Sequence, residues 1–122
     1  MEPQIKVKGV QWLESEDPTF EAGETRTAIA QMTNPTAKAF SYTAELYLDV
    51  TKVASSGSIV FSLAAGETRA VSFPVTMPGV EGIFPVFLDV FVGTELVAAF
   101  RATEDVTLVI SPAIVIGPIT WE

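Results

Sequence analysis

The residues that could do chemistry in this chain are its carboxylates. Asp49 and Asp89 hold the same place in two related strings, Leu46-Tyr-Leu-Asp-Val50 and Val86-Phe-Leu-Asp-Val90. Strand alternation turns both outward on strands expected to be neighbours. Two adjacent carboxylates can divide acid and base roles or bind a sugar. That chemistry needs a cleft that raises one pKa, and a small sandwich of strands offers none. Asp49 and Asp89 are therefore read as solvated carboxylates. A second cluster, Glu14, Glu16 and Asp17 with Glu21 and Glu24 nearby, could hold calcium through its oxygens. It lacks the Asp/Asn-Gly spacing of a dedicated calcium loop, so the 14–24 segment reads as a solvated acidic loop, as does Glu104-Asp105.

Other chemistries are closed off by composition. The 122 residues include no cysteine and no histidine. Disulfides, thiolate metal sites, thiol nucleophiles and the commonest general base are all missing. No glycine-rich phosphate loop, nucleophile elbow or zinc signature occurs. No cofactor is expected, and no enzyme activity. Seven Lys and Arg against fifteen Asp and Glu give a net charge of −8, opposite in sign to a nucleic-acid footprint and unfavourable for anionic lipid. No apolar run is long enough for a membrane-spanning helix. Neither a nucleic-acid partner nor membrane insertion is expected. The opening MEPQIKVK lacks the apolar stretch of a signal peptide, so a signal for export is expected outside this sequence.

The elements that must position these residues are strands. Apolar content of 48% implies a packed core, and no segment carries a helical period. Seven strands are expected, at about residues 5–13, 25–33, 40–50, 58–63, 68–77, 83–92 and 95–110, the last with a break at Glu104-Asp105. Turn residues punctuate them: Ala22-Gly23-Glu24, Asn34-Pro35, Ala65-Gly66-Glu67 and Pro78-Gly79. In the third strand Tyr42, Ala44, Leu46, Leu48 and Val50 share the inward face. In the fifth Val71, Phe73, Val75 and Met77 do so, and in the sixth Phe84, Val86, Leu88, Val90 and Val92. Pro74 and Pro85 fall inside strands and require an edge, a bulge or a strand start. The pattern is that of an all-β, immunoglobulin-like sandwich of two sheets and about seven antiparallel strands, occupying residues 1–111.

The same parity leaves Tyr47, Ile83, Phe87, Phe91 and Val97 on the outer face. Inward residues already fill the core, so this apolar stripe is surplus and forms a candidate contact surface. Trp12 and Trp121 read as packing residues near the domain ends.

Three internal echoes stand out. Phe20-Glu-Ala-Gly-Glu-Thr-Arg26 recurs as Leu63-Ala-Ala-Gly-Glu-Thr-Arg69, and the Leu-Asp-Val strings above form the second pair. The third joins the ends. Ile5-Lys-Val-Lys-Gly9-Val-Gln-Trp-Leu-Glu14 resembles Ala113-Ile-Val-Ile-Gly117-Pro-Ile-Thr-Trp-Glu122, aligned on the glycines. The tail 112–122 thus reads as the first strand of a following repeat. Its apolar run Pro112-Ala113-Ile114-Val115-Ile116 could also drive self-association by docking on the outer face or adding to a sheet edge.

The run of Ala22-Gly23-Glu24-Thr25, Asn34-Pro35, Leu46-Tyr47-Leu48-Asp49, Leu63-Ala64-Ala65-Gly66-Glu67, Pro78 and Gly82-Ile83-Phe84-Pro85-Val86 resembles the bacterial cell-adhesion-related domain and its relatives. The resemblance spans about residues 5–110 and rests on turn and core positions. It implies a seven-stranded immunoglobulin-like fold, often repeated in surface or secreted bacterial and archaeal proteins, with no catalytic residues to carry over. The expected function is a non-catalytic structural or interaction module, a spacer or adhesion domain of a larger extracellular or cell-envelope protein. Its partners would be neighbouring domains or another protein. A carbohydrate- or other ligand-binding accessory module is the alternative.

Overall fold

The computed structural model describes residues 2–13 and 18–110. All its regular structure is strand: β1 (Lys6–Trp12), β2 (Thr19–Glu21), β3 (Thr25–Thr33), β4 (Phe40–Leu48), β5 (Ala54–Ser55), β6 (Ile59–Leu63), β7 (Thr68–Thr76), β8 (Gly82–Phe84), β9 (Val86–Val92), β10 (Glu95–Arg101) and β11 (Val106–Val109). One sheet runs β1-β3-β7. The facing sheet runs β10-β9-β4, with β5 and β6 both on the free side of β4. A short third sheet, β2-β11-β8, completes the architecture, with β11 parallel to β2 and antiparallel to β8. The expected acidic loop at Glu14, Glu16 and Asp17, and the tail 112–122 with Trp121, lie outside the described residues.

The expected seven strands become eleven segments because two of them divide between sheets and two short strands, β2 and β5, form in addition. Pro85 cannot donate to a ladder, and the sixth strand divides there into β8, which pairs with β11, and β9, which pairs with β4. The seventh divides into β10 and β11 around residues 102–105. Pro74 lies in β7, at the edge of its sheet, where a missing donor costs least. The third strand ends at Leu48, two residues earlier than expected. Asp49 takes the left-handed conformation at φ 64° and its N–H donates to Pro85 O at 2.8 Å, so the chain turns away. Val50, assigned inward by alternation, is instead 74% exposed.

The core is a single apolar cluster from both sheets. Leu48, Phe73 and Leu88 are fully buried in it, as are Met32, Leu46, Val75, Val86 and Val90. Tyr42 is also fully buried. Its ring stacks on Phe61 with centroids 5.4 Å apart, and its hydroxyl donates to Gln4 O at 2.8 Å, holding the start of the chain against the core. A buried tyrosine needs such a partner for its polar tip.

The first sequence echo is a structural one. In each copy a turn places glycine at positive φ, Gly23 at 82° and Gly66 at 73°. The following glutamate reaches back to the first residue of its own turn: Glu21 N–H donates to Glu24 Oε1 at 3.1 Å, and Ala64 N–H to Glu67 Oε1 at 2.8 Å. Each glutamate also meets an arginine two residues on, Arg26 at 3.1 Å and Arg69 at 3.0 Å. The turns launch β3 and β7, which pair antiparallel over their whole length. Hydroxyl pairs close both ends, Thr25 with Thr76 at 2.8 Å and Thr33 with Thr68 at 2.7 Å. A local two-fold axis therefore relates the copies. The second echo obeys a similar axis, with Tyr47 opposite Phe87 and Leu46 opposite Leu88.

The Asn34-Pro35 turn is held by one buried amide. Asn34 Oδ1 accepts from the N–H of Thr36 at 3.0 Å and its hydroxyl at 2.7 Å. Nδ2 donates to Lys38 O at 2.8 Å and faces Leu63 O and Ala64 O at 3.2 Å each. One side chain thus ties the loop after β3 to the loop before β7. Asn34→Ala leaves those groups without their partners, and each unsatisfied buried group costs roughly 1–3 kcal/mol. Urea unfolding should show a loss of about 3 kcal/mol with the denaturant slope unchanged. A loss within about 0.5 kcal/mol, the range of ordinary surface substitutions, would show that the amide does not hold this end together.

Candidate functional site

The candidate surface is the outer face of the β10-β9-β4 sheet. Alternation sends Thr43, Glu45 and Tyr47 outward from β4, and Phe87, Asp89 and Phe91 outward from β9. Antiparallel register sets them in rows: Tyr47 opposite Phe87, Glu45 opposite Asp89, Thr43 opposite Phe91. Tyr47, Phe87 and Phe91 are half-buried. The rings of Tyr47 and Phe87 lie 5.5 Å apart, tilted by 31°, a favourable cross-strand aromatic pair.

Two of the expected contact residues are elsewhere. Ile83 is 67% exposed, but it lies in β8 opposite Thr107, in the short third sheet. Val97 packs against the core. The ladder between β10 and β9 shifts register between Leu96 and Ala98, so an extra residue breaks the alternation there. Leu96, half-exposed, takes the place opposite Phe91. Asp49 also leaves its expected place. It sits in the turn after β4, where its carboxylate accepts from the Thr51 hydroxyl at 2.6 Å, and Glu45 is the residue opposite Asp89.

Polar groups cover the aromatic pair. The 49–53 turn reverses the chain and brings Lys52 Nζ over the Tyr47 ring, 4.7 Å from its centroid. On the other flank the Arg101 guanidinium lies 5.9 Å from the Phe87 centroid. Lys52 also pairs with Glu45 at 2.7 Å, and the Ser55 hydroxyl donates to Glu45 at 2.6 Å. The Tyr47 hydroxyl donates to Asp89 Oδ2 at 3.0 Å. The sequence held two signals for this cover: a lysine five residues after Tyr47, and an arginine at the end of the strand beside β9. Neither reads as a site without the register.

The electrostatics follow from these contacts. Burial pushes the Glu45 carboxyl up, but hydrogen bonds from Lys52 and Ser55 with the Lys52 charge outweigh it and leave its pKa lowered. A general acid needs the opposite displacement. Partial burial, the Asp89 hydrogen bond, and the charges of Asp89 and Glu45 push the Tyr47 phenol up to about 12. Among the described residues no group of three or more His, Cys, Asp or Glu side chains is placed to hold a metal ion. An open groove of about 590 Å³ runs beside β1, where its register shifts between Val7 and Val10 and Gly9 takes φ 124°. Lys8, Gln11, Gln31, Phe100 and Thr103 line it, and among the described residues no carboxylate does.

Both tyrosines have raised pKa values, Tyr42 by burial alone. In the folded chain, phenolate absorbance should therefore show Tyr47 titrating near 12. Stability tied to Tyr47 is complete below the unfolded value of about 10 and is lost as pH climbs toward the folded one. Asp89→Asn removes the acceptor's charge and should lower the Tyr47 midpoint. A folded-state midpoint near 10 for Tyr47 in the unaltered chain would mean the Asp89 bond does not form.

No family model matches the chain, and no curated protein does. Solved structures do resemble it. The CARDB domain of a Pyrococcus furiosus protein, in complex with di-metal ions, superposes with a TM-score of 0.64 at 17% identity, covering 89% of this chain and 96% of that one. A Paenibacillus cycloisomaltooligosaccharide glucanotransferase matches with a TM-score of 0.60 at 17% identity, over 90% of this chain and 14% of that enzyme. A PapD-like domain of human CEP192 gives 0.53 at 12% identity, over 89% and 86%. At such identities the likeness concerns architecture alone. Together with the two facing sheets, it establishes an immunoglobulin-like fold.

Proposed function

We propose that this chain is a non-catalytic spacer or adhesion module of a larger surface or secreted protein. The observation that supports this reading is that the described chain starts and leaves at opposite poles. β1 runs from Lys6 opposite Thr33 to Trp12 opposite Ala28, away from the turn held by Asn34. β11 runs toward the other pole, where Ala22 N–H meets Val109 O and the turn at Pro78 receives Gly23 N–H. A module threaded from end to end extends a chain and passes load along it. The aromatic pair on the outer face adds no competing chemistry, because Lys52 and Arg101 occupy its flanks. In keeping with this, among the described residues no helix is long and apolar enough to cross a membrane.

The second reading is a carbohydrate-binding accessory module. It is favoured by the match to one part of a glucanotransferase and by a β-glucosidase from Erythrobacter marinus, matched over 88% of this chain and 16% of that one. Tyr47 and Phe87 would then stack on sugar after displacement of the two cations.

Electrophoresis through gels containing soluble glucans or xylans separates the readings. The spacer reading expects mobility unchanged by polysaccharide. Retardation that disappears in the double variant Tyr47→Ala, Phe87→Ala would overturn it in favour of the carbohydrate reading.

A further inference from the structure

The two poles differ in chemistry. At the N-terminal pole most exposed loop-tip residues are small (Pro35, Ala37, Ala64, Ala65, Gly66 and Gly93), with Lys38, Thr94 and Glu95 as the exposed polar side chains beside them. At the C-terminal pole four exposed side chains are large and aliphatic, with exposed Glu21 and Glu81 among them; the Glu81 carboxylate accepts from Ile110 N–H at 3.3 Å. Val80 (55% exposed), Ile83 (67%), Val109 (40%) and Ile110 (49%) surround the end of the β2-β11-β8 sheet. Val50 and Val53 add exposed aliphatic surface on the neighbouring 49–53 turn, which is tied to Pro85 through Asp49 N–H. Concentration of such residues at one end of a small domain marks a contact surface.

The sequence says what lies against it. Aligned on Gly9 and Gly117, Ala113 corresponds to Ile5, the buried residue just before β1. If 113–122 begins a following module, only Ser111 and Pro112 separate Ile110 from that module's first strand. Three Cα–Cα steps reach at most about 11 Å. The N-terminal pole of the following module must then sit directly on the aliphatic C-terminal pole, with no room for a free linker. Small loop tips permit close approach to the aliphatic side chains, and the contact is head-to-tail.

We propose that Val80, Ile83, Val109 and Ile110 form a docking surface for the N-terminal pole of a following module of this same kind. The proposal rests on the array reading of the tail and adds the surface that fixes the angle between modules.

The chain has no cysteine, so a single Ile83→Cys reports on the pole by its rate of reaction with a maleimide. Two proteins carry it: the full single chain, and a tandem in which residues 1–112 run directly into residues 5–122 of a second copy. Ile83→Cys should react fast in the single chain and about tenfold or more slowly in the first copy of the tandem. Val80→Cys should follow it. Val60→Cys, 72% exposed on the distant strand β6, should react alike in both. Equal rates for Ile83→Cys in the two proteins would overturn the docking surface. Slow reaction in the single chain would also overturn it, since the chain's own tail would then cover the pole. The array reading fails separately, if the parent gene encodes no similar module after residue 112. Protection of Ile83 in the tandem would then still support the fit of the two poles.

Discussion

The amide of Asn34 sits where two loops, at residues 34–39 and 63–67, must agree. Its side chain meets the backbone of Thr36, Lys38, Leu63 and Ala64, while its own carbonyl accepts from Gly66 and its N–H donates to Glu67. With every polar atom of the residue engaged away from water, displacing either loop strands several groups at once. The loops that connect the two sheets at this pole are thereby fixed, and with them the ends of β3, β4, β6 and β7. The opposite pole is joined through the backbone of its turns. There the Gly23 turn leans on Pro78, and Met77 N–H bonds to Glu24 O.

Much of the frame could be read from residue order. Alternation through Tyr42, Ala44, Leu46 and Leu48 identified the inner face of the central strand, and Phe73 and Leu88 meet Leu48 in the core as their parity requires. The repeated Gly-Glu-Thr-Arg strings pointed to equivalent turns. What they could not reveal was the local two-fold axis, because antiparallel pairing of β3 with β7 is set by contacts far apart in sequence. The surface was less legible for a related reason. Parity survives only while a strand stays regular. One extra residue at Val97 and one left-handed residue at Asp49 were enough to exchange Val97 for Leu96 and Asp49 for Glu45. Ile83 was misplaced because a strand that crosses from one sheet to another at Pro85 keeps its alternation while changing its neighbours.

The outer face shows how a surplus of apolar side chains can be neutralised without burying them. Aromatic rings on adjacent strands pack together, long cationic side chains lie across them, carboxylates on the intervening row hold Lys52 and the phenol, and Asp105 pairs with Arg101. Lys and Arg stems cover apolar area while their heads stay in water. Among the described residues, none covers the aliphatic side chains at the C-terminal pole in a comparable way.

The parallel pairing of β2 with β11 has a mechanical consequence. β11 leads to the last described residues, whereas β2 follows β1 in the chain, and β1 begins at the other pole. Tension between the two ends pulls these parallel neighbours past each other along their length. Ala22 N–H to Val109 O and Thr107 N–H to Pro18 O, each 2.9 Å, then bear the strain together instead of opening in succession like a zipper. A patch of only three paired residues would resist stretching far better than its size suggests, acting as a latch whose strength depends on the direction of pull.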